Sequence, residues 1–145
     1  MTTPSQTITP RIRAVWDRHP DDPSRKCWLW RLLEPWAFIL ITEDDRFVER
    51  RLEQGFLWDG ASKPFPNQAI LATPSSHWSM VVPSLEHDDM CRNWRWWQEL
   101  GVSSQDAAWH FYQRCIQFGT GAECLQWKAV SWFGPKWSAK DANDV

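Results

Sequence analysis

The sequence predicts an α+β fold, with a small antiparallel sheet from the N-terminal half packed against a cluster of three to four C-terminal helices. Three observations predict it. Aromatic and β-branched residues gather before residue 59 in short runs divided by turn residues. From Ser76 onward, apolar residues recur at helical spacing between Ser, Gly and Pro stops. The chain has 145 residues, the size of one ordinary domain, and such a chain buries about two thirds of its unfolded surface without a covalent staple.

Residues 1–26 are expected to be an irregular N-terminal arm, because Pro4, Pro10, Pro20 and Pro23 remove donors and fix φ. The single domain then spans 27–137, and the polar tail 138–145 is expected to fray. In Cys27 to Ile41, Trp28 and Trp30 alternate with Leu29 and Arg31. After Pro35, the run Phe38 to Thr42 reads as a strand, Glu43-Asp44-Asp45 as a turn and Arg46 to Leu52 as the antiparallel partner. Gly55 to Pro64 begins as a strand and ends as a tight loop, where Gly60 permits unusual angles and Pro64 holds Lys63 extended.

The helices follow. A short one covers His77 to Val82 and is stopped by Pro83. Ser84 caps a second, which runs to about Leu100 and ends at Gly101. Ser103 caps a third, with Asp106 three residues on in the manner of a capping box and an apolar stripe of Ala108, Phe111, Cys115 and Phe118. A fourth runs from about Ala122 to Phe133, stopped by Gly134-Pro135.

Composition narrows the function. The net charge of −2 and pI of 6.1 provide no basic field for nucleic acid. Cys27, Cys91, Cys115 and Cys124 form no C-x-x-C pair, which argues against a zinc knuckle or redox dithiol. The N-terminus has no basic start followed by an apolar run, and no stretch of ~18 apolar residues exists to span a membrane. A reducing cytoplasm in a bacterial host, or a virion, is the expected setting. The 13 tryptophans are an unusually high count, which a Trp-heavy core and rim would absorb. Trp94, Trp96 and Trp97 form the stretch in which a protein-partner surface is expected, since Trp is enriched at binding hot spots; the same residues also fit a Trp-heavy core.

Three sets of residues could carry chemistry. Asp59 and Ser62 sit on a loop after a strand, where sites commonly sit, though Asp and Ser also bond their own backbone in turns. His87 and Asp88 are adjacent on a helix, about 100° apart, and can line one cleft with metal-ligating or proton-transferring groups. Asp106 and His110 stand four apart on one helix face, a spacing that can chelate a metal but also fits a capping Asp beside a solvated stripe with Gln113 and Gln117. His19 and His77 have no companion motif and read as loop residues.

The ordered string Gly55-Phe56-x-x-Asp59-Gly60-Ala61-Ser62-x-Pro64, then His87-Asp88, then Asp106, resembles the phage and prophage family called domain of unknown function 1353. That family carries a "VPxGFxTDxASxP" strand and loop, a helical "HDxLY", a later helical Asp and a closing aromatic–small–Val–Gly pattern, matched here by Trp127-Lys128-Ala129-Val130 with Gly134 and Trp137. The resemblance covers about residues 28–137. Trp58 stands where Thr is common, Lys63 replaces an aliphatic residue, and Met90-Cys91 follows the His-Asp pair in place of Leu-Tyr. The resemblance implies that Asp59, Ser62, His87, Asp88 and Asp106 converge into one site and that the protein is of phage origin.

Two readings result. In the first, the protein is a metal-assisted hydrolase in which His87 and two or three of Asp59, Asp88 and Asp106 hold a divalent metal ion that activates water, a spare carboxylate is the general base and Ser62 orients the substrate or bound water. In the second, it is a non-enzymatic phage structural or assembly protein whose polar cluster is a hydrogen-bond network, with the Trp-rich surface as its working part.

Overall fold

A computed structural model describes residues 9–59, 78–118 and 136–139. The fold is α+β, with an antiparallel N-terminal half and three helices after it. Five strands come first: β1 (Ile12–His19), β2 (Asp22–Leu32), β3 (Trp36–Ile41), β4 (Phe47–Leu52) and β5 (Leu57–Trp58). The helices are α1 (Trp78–Arg92), α2 (Trp94–Glu99) and α3 (Ser104–Phe118). The strands form two antiparallel sheets, one ordered β1-β2-β5 and the other a β3-β4 pair.

β1 and the start of β2 occupy much of the segment expected to be an irregular arm. The prolines do not prevent this, because each stands where no ladder donor is needed. Pro10 precedes β1, Pro20 lies in the hairpin turn, and Pro23 is the second residue of β2 beside the register shift at Arg18/His19. Trp16 and Trp28 face each other across this hairpin as an edge-on pair, centroids 5.6 Å apart. The β3-β4 hairpin is where the sequence puts it, with Ile41 opposite Phe47 and Trp36 opposite Leu52. Its turn is closed by Thr42 and Arg46, and Asp45 takes the left-handed conformation (φ 62°) that Asp tolerates.

Pro83 does not end the first helix: α1 runs through it from Trp78 to Arg92. The proline lies near the N-terminal end, where only one intrahelical donor is lost, and Ser84 returns its hydroxyl to the Val81 carbonyl (3.1 Å) rather than capping a new helix. The break falls at Asn93, whose carbonyl receives the Trp96 amide. α2 ends at Gly101, which has φ 78° and lies against the Arg46 guanidinium, so a Cβ there would meet it at 2.7 Å. That guanidinium donates to the Leu100 and Gly101 carbonyls (3.0 and 2.8 Å), which fastens the β3-β4 turn to the end of α2. The fourth helix expected over 122–133 lies outside the described residues.

The core forms where the inner face of the β3-β4 pair meets the helices. Leu40, Leu52, Trp58, Leu85, Met90 and Trp97 are each at most 2% exposed. Phe38 stacks on Trp97 with centroids 5.7 Å apart. Burying such side chains stabilises by about 25 cal/mol per Å² of apolar surface, so the aromatic layer is a main source of stability.

Candidate functional site

The run Glu86-His87-Asp88-Asp89 on α1 projects four titratable side chains in four directions, about 100° apart. Glu86 and Asp89 face the core and are fully buried. Asp89 accepts from the Arg50 guanidinium at 2.9 and 3.1 Å, from Asn93 Nδ2 at 2.8 Å and from Trp97 Nε1 at 3.1 Å. Glu86 accepts from Arg114 Nε and Nη2 and from His110 Nε2, each at 2.7 Å, and from Trp36 Nε1 at 2.8 Å. Burial works to raise the Glu86 pKa, but the hydrogen bonds and charges of Arg114 and His110 outweigh it and hold the carboxyl below its usual range.

His87 and Asp88 part company. The His87 ring packs edge-on against Phe111 of α3 (5.1 Å) and touches Cys91 Sγ (3.5 Å from Nδ1). Burial, with the charge of His110 nearby, pushes its pKa down to about 4. The Cys91 thiol is pushed up to about 12 by burial and by the charges of Asp88, Asp21 and Asp89, so this contact is not an activated thiolate–imidazolium pair.

Asp88 faces the other way, toward Asp59 at the end of β5 and Asp21 at the tip of the β1-β2 hairpin. Burial first, then the charges of Asp59 and Asp21 and the bond to Asp59, raise its pKa well above the ordinary carboxylate range, against the opposing charge of Arg92. The direction of that shift favours the protonated form of Asp88. On its far side, Asp59 Oδ2 meets His19 Nε2 at 3.3 Å. His19 Nδ1 accepts the Asp21 amide (3.1 Å), which fixes the tautomer: Nε2 carries the hydrogen and donates it to Asp59. The result is a chain, Asp88 to Asp59 from one end and His19 to Asp59 from the other. Arg92 Nε binds Asp21 (2.9 Å) with its guanidinium over the Phe56 ring, and Arg25 approaches Asp59 at 4.0 Å.

Of the residues expected to converge, Asp59 and Asp88 do so. His87 lies on another face of α1. Asp106 is spent elsewhere: its Oδ2 accepts from the Ser103 amide and hydroxyl (3.0 and 3.1 Å), and its Oδ1 accepts from the Glu43 amide (3.0 Å). It closes a capping box on α3 and ties α3 to the β3-β4 turn, while His110 serves Glu86, so the two do not chelate together. Ser62 lies outside the described residues. Among the described residues no three His, Cys, Asp or Glu side chains assemble as a metal-ligand set. Of the four donors expected to hold a divalent ion, Asp59 and Asp88 lie together, while His87 packs on Phe111 and Asp106 caps α3.

His19 is the residue that sequence reasoning passed over. Recognising His19-Pro20-Asp21-Asp22 as a hairpin turn would have placed His19 at a strand end, facing the loop after β5. Of the tryptophans expected to form a partner surface, Trp97 is fully buried and Trp94 is half-buried against Trp137. Trp96 is exposed, but Arg50 covers its ring at 4.3 Å.

No helix among the described residues is long and apolar enough to cross a membrane. No family model, curated protein or solved structure matches the chain.

Proposed function

We propose that the protein is a hydrolase working by general acid–base catalysis at the Asp59–Asp88 pair, with His19 as the residue that positions Asp59. The observation that carries this is the placing of the Asp88 carboxyl of α1 beside Asp59 at the end of β5, with a fixed imidazole N–H on Asp59 Oδ2. Two carboxyls sharing one proton supply a base and an acid side by side. Asp59 takes a proton from water as the water oxygen bonds to the substrate carbonyl. Asp88 gives its proton to the leaving amine or alcohol as the bond to it breaks. The nearby charges, Asp21 and Asp59 against Arg25 and Arg92, leave no positive surplus for a phosphate, which favours an uncharged amide or ester. A phage or prophage setting rests on the motif resemblance.

The test is turnover of a panel of chromogenic esters and anilides by the wild type, Asp59→Asn and Asp88→Asn. Turnover by the wild type, lost in both variants, supports the reading; turnover that survives both, or none in any protein, overturns it.

A second reading has one observation in its favour. The Asp21–Arg92 and His19–Asp59 contacts also fasten the hairpin tip to α1, as a purely structural latch would. In that case no protein turns over substrate and Asp59→Asn melts lower than wild type. Asp88→Asn separates cost from use. Because the Asp88 pKa is raised, the unfolded chain ionises above the ordinary value of 3.8 while the folded protein does not, so stability falls as pH rises from there toward the folded value. Asparagine keeps a donor to Asp59 without that loss. The variant is expected to melt higher than wild type at pH 7 and to gain nothing in acid below 3.8.

A further inference from the structure

On the side of the molecule where Glu86 is buried, an open groove of about 360 Å³ runs between β3 and α3. One wall is Ala37, Phe38, Ile39 and Ile41; the other is His110, Gln113, Arg114 and Gln117. Phe38 is buried and Ile39 and Ile41 are exposed, so residues from both faces of β3 line the groove. It therefore follows the edge of the strand rather than one of its faces. β4 pairs the other edge, and among the described residues no strand pairs this one. Edge strands are usually guarded by charges, proline or a bulge, and Trp36–Ile41 has none of these.

The helical wall has a definite chemistry. Residues 110, 113, 114 and 117 recur at helical spacing and share one side of α3. Arg114 is held rigidly: Nε and Nη2 donate to Glu86, and Nη1 donates to Gln117 Oε1 at 2.8 Å. Among the described residues these bonds leave part of its donor fork unspent. Among the described residues no carboxylate lines the groove, and Gln113 and Gln117 are exposed amides that can both donate and accept. A strand edge opposite a helix face is the geometry in which extended peptides add to a sheet, with main-chain bonds on one side and side-chain selection on the other.

We propose that this groove binds an extended acidic peptide, which adds to the edge of β3 as a further strand and places a carboxylate on Arg114. Alternate residues of the peptide face the apolar side formed by Ile39 and Ile41, and Gln113 and Gln117 bond its backbone. The site is separate from the Asp59–Asp88 pair and does not depend on it.

The experiment is selection of a random octapeptide display library on the full chain, followed by fluorescence anisotropy with the enriched peptides. The expected result is enrichment of sequences that alternate apolar residues and carry Asp or Glu, with slowed amide exchange in residues 36–41 on binding. Arg114 is engaged with Glu86 and its replacement threatens the fold, so the variant is Gln113→Glu/Gln117→Glu, on the solvent side of α3. Added negative charge there is expected to weaken the acidic peptides at least about tenfold while melting stays unchanged. Failure to enrich any peptide, equal binding by the variant, or enrichment of basic sequences overturns the proposal. So does a concentration-dependent dimer that protects residues 36–41 without peptide, which would assign the groove to a second copy of the chain.

Discussion

Glu86→Gln is the substitution whose cost can be worked most directly from the structure. The side chain keeps its size and is fully buried, so no cavity opens and the change is one of charge and donor count. Oε1 receives His110 Nε2 and Arg114 Nε; Oε2 receives Arg114 Nη2 and Trp36 Nε1. Glutamine has one oxygen, so whichever way its amide is turned, its NH2 faces two donors. Each buried donor left unmatched costs about 1–3 kcal/mol. Breaking a buried ion pair by removing one partner costs roughly 3–5 kcal/mol. Arg114 keeps 18% side-chain exposure and can recover some solvation, which places the expected loss at the lower end, about 3 kcal/mol.

The assay is urea denaturation at neutral pH and again in acid. The sign in acid is fixed by the direction of the shift. Glu86 is held below its ordinary value of 4.5, so its stabilisation is present above 4.5 and is lost as pH falls through the lower folded value. Glutamine does not titrate there, so wild type and variant are expected to converge in acid. The triple variant Glu86→Leu/His110→Phe/Arg114→Met removes both charges together and is expected to recover most of the loss, since an apolar replacement of a whole buried ion network is often neutral. A neutral-pH loss below about 1 kcal/mol, or a gap that widens in acid, would refute the donor accounting.

Two further predictions concern residues that sequence reasoning placed in the site. The His87 ring is expected to titrate near 4 by NMR, with no inflection near its ordinary 6.5; because the folded value is lowered, the unfolded chain takes up a proton first and stability falls as pH drops from 6.5 toward 4. A midpoint close to 6.5 would show that the ring is hydrated and available as a ligand. Asp106→Ala removes the acceptor of the Ser103 and Glu43 amides and is expected to lower stability by about 1–2 kcal/mol, with no change in metal affinity, since it acts as a helix cap; calorimetry beside metal titration checks both halves.

The residues that were legible in the sequence are those whose signal is local. Phe38 to Leu52 is two apolar runs about an Asp-rich turn, and it folds as the hairpin it resembles. Ser103 and Asp106 form the capping box that their spacing announces, and Gly101 stops α2. Prolines misled, because their effect depends on position: Pro23 is harmless beside a register shift, and Pro83 is tolerated near the start of α1. The site was half legible. Asp59 and Asp88 belong to motifs, but the third member, His19, comes from a segment that proline count had assigned to an arm. Within Glu86 to Asp89, the direction each acid faces depends on helix phase relative to Val82, Leu85 and Met90, which shows only once α1 is known to be continuous.

That phase also explains why one acid in the run is a candidate for chemistry and its neighbours are not. Glu86, Asp89 and Asp106 are each matched with positively charged, amide, hydroxyl or indole donors, and a carboxylate so matched is held still. Asp88 is given another carboxyl group. A structural network has no need for such a pair, since Asn in place of Asp88 would donate to Asp59 without forcing two acids together. Like-charged neighbours that share a proton raise the energy of the folded state, and that energy is useful where protons must change hands. The Asp59–Asp88 contact goes against the donor-to-acceptor matching seen at the other three acids, and that contrast is the physical ground for proposing chemistry there.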